Sequence, residues 1–563
     1  MSKKKPVVKQ AAPKKAVVPP QKPQRDYTLA FLLVIIAIVS FIRYRYIKMP
    51  LERDEGEYAY IGNLFLHGIT PFKDGYSMKL PGTSFMYAVF MLLFGHTNRA
   101  IHWGLLLMNA STMCLLYYAF KKMFNSFLAI ATAAIYGAMA VGLPFIGLAA
   151  HATHFICFYS AIALLLLSNF LKSGKLFTLF LIGLMMGMAF LMKQQAAFMV
   201  LFFAVFLVIY LKMEKKLAFP EIARKFLFFG SGVAIPYIIV FLIIVCTGRF
   251  YDFWLWTVKY ASQYEAVKSW YAISTCFKES FIPAWMMYNY LWIIALLGLL
   301  VLYWTPYTRM QKLFVLGYFV ASVCTLSSGF YFRQHYYIVI LPAVGLLSGI
   351  LIDFLIKQAR KRIPVLKSLN GSLIVLSVLV FTIIYTWRGY YFSYTVEEVC
   401  DMSYWGNPFN EASKIAKYIK ENTSDTDKIA VLGSEPEIYF YADRIAATGY
   451  LYTYPLVDNQ PYNEIMQQQM IQEIEKNAPP FLVFCNVPYS WLAKKDCPTT
   501  IINWINSYTS AHYTPVCFVD FSNDTGWSFY WGNGSKNPIP QTVSYIIIYK
   551  RKPDKVLSYL TKP

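Results

Sequence analysis

Charge is scarce in this sequence. Only 15% of its 563 residues are Asp, Glu, Lys or Arg, against 57% hydrophobic and 18% aromatic. With a mean hydropathy of +0.42, that scarcity excludes an ordinary soluble globular enzyme and leaves a polytopic membrane protein. The nine cysteines show no CxxC pair and no Cys/His spacing suited to zinc. Cys114, Cys157, Cys246 and Cys324 lie in or beside apolar runs and read as small core residues. Cys276, Cys400, Cys485, Cys497 and Cys517 fall in segments assigned outside, where pairing is open and connectivity is not encoded. There is no internal repeat. From Arg388 onward there is also no GxGxxG, GxSxG or Walker pattern, so no chemistry is assigned to that part. Acids are scarcer than bases, giving a net charge of +22, but the Lys and Arg residues cluster at the ends of apolar runs. They read as topology signals rather than a nucleic-acid surface.

The order of these runs predicts eleven spans. A basic segment, 1–26, is expected to be a disordered cytoplasmic tail. The run from Tyr27 to Ile42 has no small-residue cleavage site and ends on Arg43 and Arg45, so it is an uncleaved first span. Ser84 to Phe94 is well short of the roughly twenty residues a crossing needs and is expected to be interfacial or re-entrant. The remaining spans fall at 101–120, 127–142, 155–171, 176–191, 198–211, 226–245, 291–304, 313–327, 337–355 and 373–387, with an aromatic loop at 250–288. This register brings Lys121, Lys172, Lys212 and Arg309 to the cytoplasm, as the positive-inside rule requires. Residues 27–387 are thus expected to form a membrane domain and 388–563 an exoplasmic α/β domain. In the latter, helices are expected over 410–421 and 462–476, and strands near 428–432, 481–485, 515–518 and 544–549.

The stretch Arg53–Thr83 places acids and a lysine at the edge of the bilayer, where ionisable groups are costly and usually functional. If 54–65 is helical, Asp54, Tyr58, Ile61 and Phe65 share one stripe, and the Asp54 carboxylate faces the packed side. Glu55 is turned about 100° away and is expected to be solvated or structural. Polar residues at the other exoplasmic span ends are His151 and His154, Lys193 to Gln195, Arg249, and Arg333 to Tyr337. Assigned to one face, these loops can converge on one cavity. A carboxylate with several cations suits a reaction in which a membrane-anchored phosphate leaves while a hydroxyl attacks. Asp54 would be the general base, and Lys79 and Lys193, helped by Arg333, would hold the phosphate charge. The chemistry requires no metal. Each residue has a plainer reading as well: either lysine alone is a snorkelling anchor, Tyr336 and Tyr337 an aromatic belt, and His151 and His154, whose i, i+3 spacing could ligate a metal, polar loop residues.

The first-loop motif D-E-x-x-Y (Asp54, Glu55, Tyr58), G-x-x-P (Gly68, Pro71), K-x-P-G (Lys79, Pro81, Gly82) and F-G (Phe94, Gly95) with Arg99 resembles the GT-C glycosyltransferases. The bacterial aminoarabinose transferase and protein O-mannosyltransferase superfamily is the branch it is most similar to. K-Q-Q at 193–195 and H-Y-Y at 335–337, followed by Leu341 and Pro342, add to the resemblance. It implies a GT-C fold: mostly α, about eleven transmembrane helices, interfacial helices in the first exoplasmic loop and a C-terminal soluble α/β domain. It also implies transfer of a sugar from a polyprenyl-phosphate-linked donor to a lipid, protein or envelope-glycan acceptor at the outer face of a bacterial inner membrane. The implied catalytic residues are Asp54 and Glu55. The implied substrate-binding residues are Lys79, Lys193, Glu57, Tyr58, Arg333, His335, Tyr336 and Tyr337, with no cofactor required. The family's K-P-P reads K-L-P here, and a later site that often carries an acid reads Thr153-His154. A transporter or flippase of lipid-linked sugars is the alternative, disfavoured by the missing repeat. An assembly protein is a third.

Overall fold

The computed structural model describes residues 26–265, 269–359, 363, 369–523, 526–535 and 539–553. All of the basic tail except Asp26 lies outside them, as does most of the basic patch between Lys357 and Lys367. The chain begins with α1 (Thr28–Arg45), α2 (Arg53–Leu66), α3 (Gly82–Phe94), α4 (Asn98–Met123), α5 (Ser126–Met139), α6 (Ala152–Ser173) and α7 (Leu176–Met192). Eight described helices are long and apolar enough to cross a membrane: α1, α4, α6, Gln194–Met213, Phe219–Cys246, Trp270–Trp304, Arg309–Phe330 and Gln334–Ala359. The other three expected spans fall on the shorter helices α5, α7 and Leu369–Thr386. Of these, α5 is buried from Phe127 to Met139 and packs on α1, α4 and Leu341–Ala359. A glycine of the last of these permits that approach: a Cβ at Gly345 would come within 2.8 Å of Thr132 O in α5.

In its described residues the aromatic segment 250–288 is mostly helical rather than a loop. It is helical at Phe250–Trp254, π-helical at Leu255–Tyr260 and helical again in Trp270–Val301, which leaves helical angles at Tyr288. Phe277, Phe281 and Trp285 recur every fourth residue, with ring centroids 4.9 and 5.9 Å apart. The density of aromatic residues hides this helical period in the sequence.

Six strands follow among the described residues: β1 (Lys428–Leu432), β2 (Ile445–Ala446), β3 (Phe481–Asn486), β4 (Tyr513–Ser522), β5 (Gly526–Trp531) and β6 (Tyr545–Arg551), in the order β2-β1-β3-β6-β4-β5. β1 pairs parallel with β2 and β3, and the remaining pairings are antiparallel. Phe409–Glu421 and Asn463–Asn477 form the two expected helices. Thr500–His512 and β5 are further elements that the sequence reading did not include. All nine cysteines are free thiols.

The first loop is clamped to this domain. Tyr76 N donates to Gly449 O at 2.6 Å beside a parallel bridge between Tyr76 and Tyr450. Ala446 N donates to Tyr60 Oη at 2.9 Å, and Leu51 N to Tyr441 Oη at 2.7 Å. At Gly56 the two parts meet so closely that an added Cβ would lie 2.6 Å from Glu437 N. Gly56→Ala should therefore lower stability by about 1–3 kcal/mol through overpacking, read as a lower unfolding temperature in detergent. An unchanged unfolding temperature would contradict this close contact.

Candidate active site

The site is built on the first turn of α2. Glu52 caps the helix, accepting from Glu55 N at 2.9 Å, while Glu55 Oε2 accepts from Glu52 N at 3.3 Å. This capping box fixes the turn that presents Asp54, and the helix N-terminus favours its negative charge. Glu55 is not solvated. Its side chain is 1% exposed, and Oε1 accepts from Ala150 N at 2.6 Å and lies 3.2 Å from His102 Nε2. It ties α2 to α4 and to the loop before α6, which is a structural task. Asp54 is the more accessible acid, 30% exposed, so the expected facing of the two acids is reversed. The reason is tertiary: α4 and the 143–151 loop cover the Glu55 side of the helix.

Lys79 is held where the first loop folds back over α2. Its Nζ donates to Asp54 Oδ1 at 2.7 Å and to Glu57 Oε2 at 2.5 Å, and it lies 4.5 Å from the Tyr58 ring centroid. Glu57 is buried and also accepts from Ser77 Oγ at 2.5 Å. Burial alone would push the Asp54 carboxyl up, but Lys79 overrides it and holds the group far below the ordinary carboxylate range. The same two acids, set against burial, raise Lys79.

The second lysine arrives on the turn after α7. Lys193 Nζ lies 3.8 Å from the ring centroid of Tyr336. Gln194 Nε2 donates to Met78 O at 3.2 Å and Thr83 Oγ1 to Met192 O at 3.0 Å, so this turn is packed against the segment that carries Lys79. His335 stacks on His151 at 4.0 Å and meets Tyr336 edge-on at 4.8 Å. Arg333 is exposed beside Tyr331 at the start of the same 3-10 turn. Tyr337 is turned into the aromatic core, 6.3 Å from both Phe145 and Phe281, and is not brought to the lysines. His154 faces Asn109 at 3.4 Å, and Arg249 pairs with Asp252 at 3.3 Å.

Asp54, His151 and His335 each offer one donor atom within 4.8 Å of the others. Both ring nitrogens of His151 are buried without a hydrogen-bond partner, the Glu52 carboxylate standing off at 3.6 Å. Burial keeps its imidazole neutral, its pKa pushed down to about 4 against the pull of Asp54 and Glu55. One carboxylate and two imidazoles fit a divalent transition ion such as zinc. The i, i+3 spacing of His151 and His154 pointed to a different pair.

Two further side chains to which the sequence assigned no role reach this group. Arg53 Nε donates to Ser434 O at 2.5 Å and its Nη2 pairs with Glu435 Oε1 at 3.0 Å. Tyr452, from the sheet domain, donates toward Arg53 O at 3.1 Å and Asp54 Oδ1 at 3.3 Å.

Residues 79–244 match the model of the dolichyl-phosphate-mannose-protein mannosyltransferase family. ArnT from Cupriavidus metallidurans, in a crystal structure bound to undecaprenyl phosphate, superposes with a TM-score of 0.56 at 15% identity, covering 95% of this chain and 99% of that chain. This chain has the GT-C glycosyltransferase fold. The apo state of the same ArnT gives 0.50 at 14% identity, covering 93% and 98%. The archaeal oligosaccharyltransferase AglB from Archaeoglobus fulgidus gives 0.51 at 11% identity, covering 94% and 77%. No curated protein sequence matches the chain. Within this fold, α2, the segment before α3, the turns before α6 and after α7 and the 3-10 turn Gln334–Ile340 carry the polar group just described.

The donor set makes a direct prediction. Zn²⁺ added to the purified protein should be retained after dialysis as a single bound ion, measured by elemental analysis, and lost in His151→Ala and His335→Ala. Retention by both variants would exclude this cluster as the holder.

Proposed function

We propose that this chain is an integral-membrane glycosyltransferase that moves a sugar from a polyprenyl phosphate to an acceptor hydroxyl by a single inverting displacement, with Asp54 as general base. The observation that carries the reading is the 2.7 Å ion pair of Lys79 with Asp54, packed beside the turn that carries Lys193. The family match over 79–244 supports it, and so do the ligands of the neighbours: undecaprenyl phosphate in ArnT, and dolichol phosphate with an inhibitory peptide in AglB.

The ion pair sets the order of events. While Lys79 neutralises Asp54, the carboxylate is ionised but a weak base. An incoming donor brings a phosphodiester anion that competes for Lys79. As Lys79 turns to the phosphate, Asp54 loses its counter-charge in a partly buried site, and its basicity rises toward that of a useful acceptor. The acceptor oxygen then bonds to the anomeric carbon as the bond from that carbon to the phosphate oxygen breaks. The acceptor proton passes to Asp54, and the electron pair leaves with the polyprenyl phosphate. Lys79, Lys193 and Arg333 stabilise the added negative charge. A phosphate is a weak base and needs no general acid. Glu57 stays behind as the anchor to which Lys79 returns.

On this reading, residues 27–387 form the catalytic membrane domain of a bacterial cytoplasmic-membrane protein, and 388–563 an exoplasmic domain. The lysines that end α4, α6 and Gln194–Met213 support that orientation, because they gather at the helix ends away from Asp54.

Asp54→Asn should cut transfer by on the order of 10²–10⁴-fold while membrane insertion and unfolding temperature stay unchanged. Transfer would be followed as release of free undecaprenyl phosphate from sugar-loaded carrier, with membrane extract as acceptor. A fully active variant removes the mechanism. Lys79→Ala should raise the donor KM and move the acidic limb of the kcat/KM profile to higher pH, because the cation that favours the ionised carboxylate is gone. An unmoved acidic limb in Lys79→Ala would mean that Asp54 is not the titrating base.

A further inference from the structure

The sheet domain reaches the Asp54 carboxylate through Tyr452. Tyr452 Oη lies 3.3 Å from Asp54 Oδ1, 3.1 Å from Arg53 O and 3.5 Å from Lys79 Nζ, with the Lys79 ammonium 5.3 Å from its ring centroid. Its ring stacks on Tyr454 at 5.5 Å, and Tyr454 carries the Arg53 guanidinium at 5.8 Å. The segment that bears both rings is fixed from two sides. Tyr76 of the first loop bridges to Tyr450, and Thr453 N donates to Ser434 Oγ at 3.0 Å, next to the Ser434 carbonyl that takes Arg53. The phenol is therefore held at the carboxylate by the domain and does not depend on Lys79 for its place.

We infer that Tyr452 is a positioning residue for the transfer reaction, supplied by the C-terminal domain to hold Asp54 Oδ1 once Lys79 has turned to the donor phosphate. The inference rests on the function proposed above. Lys79 and Tyr452 both address Oδ1, so when the lysine leaves, the phenol remains as the hydrogen-bond donor to that oxygen. Without it the freed carboxylate can rotate about χ2, and the oxygen that takes the acceptor proton loses its aim. A phenol keeps its proton at neutral pH, so Tyr452 can serve as a donor there. No bond is made or broken at Tyr452; its proton stays on the phenol while the acceptor proton goes to Asp54.

The test uses the full-length protein with Tyr452→Phe, which keeps the ring, its stacking on Tyr454 and its contact with the Lys79 ammonium, and removes only the hydroxyl. Undecaprenyl-phosphate mannose and undecaprenyl-phosphate aminoarabinose are the donors, and release of free undecaprenyl phosphate is the readout. We expect kcat to fall about tenfold or more, the loss of a hydrogen bond to a charged group. The donor KM should stay within about twofold, since the donor phosphate is held by cations that the substitution leaves in place. The acidic limb of the rate profile should move to higher pH, because a donor that favours the ionised Asp54 is gone. A purely structural role would instead lower the unfolding temperature and leave the acidic limb where it was. An unchanged kcat and profile in Tyr452→Phe, with Asp54→Asn inactive, would overturn this inference alone. Full activity in both variants, or in neither enzyme nor variant, would overturn the proposed function on which it rests.

Discussion

The arrangement of this molecule turns on one ammonium shared between two carboxylates. Lys79 sits between Asp54 and Glu57 at the mouth of a helix whose other acid, Glu55, is committed to the scaffold. Two acids on one face of a buried helix repel each other and resist ionisation without a counter-charge. A lysine without them would resist protonation. Together they form a charged group that is stable at the edge of a bilayer and ready to exchange partners. An anionic substrate can displace one carboxylate from the lysine, whereas a neutral one has no such means. On the proposed mechanism, donor binding and base activation are thereby the same event.

The C-terminal domain belongs to that group more than its soluble composition suggests. Contacts from Tyr441, Ser434, Ala446, Gly449 and Tyr452 bind α2 and the first loop over their whole length. Gly56 permits the approach by leaving no Cβ between α2 and the domain. On the proposed reading its contribution is position: it presents a phenol, a carbonyl and a carboxylate to a candidate site whose charged residues lie on α2 and the loop that follows it.

Much of this was legible in the residues. The apolar runs located the helices, and the charged stretch after α1 pointed to the candidate site, because ionisable groups beside an apolar run are costly. Lys79 and Lys193 are brought to one packed region, with Tyr336 between them and the histidines. What escaped the reading is tertiary. The facing of Asp54 and Glu55 was inverted, since a helical wheel ranks stripes by apolar neighbours and cannot foresee that α4 and the 143–151 loop bury the polar side. Tyr337 went to the core and Tyr336 to the lysine, although adjacent tyrosines at a span end look alike. His151 found His335 rather than His154, because the relevant spacing runs through space between two loops. The helical period of 250–288 was masked by aromatic residues on every face. Tyr452 gave no signal, because nothing in its local run says which surface it will face.

The account's central claim is that Lys79 exchanges Asp54 for phosphate. A cryo-electron microscopy structure of the full-length protein with undecaprenyl phosphate bound tests it most directly. The account predicts Lys79 Nζ in hydrogen-bond contact with a phosphate oxygen, broken away from Asp54 Oδ1, with Tyr452 still on that oxygen. A phosphate held elsewhere while Lys79 remains on Asp54 would contradict it.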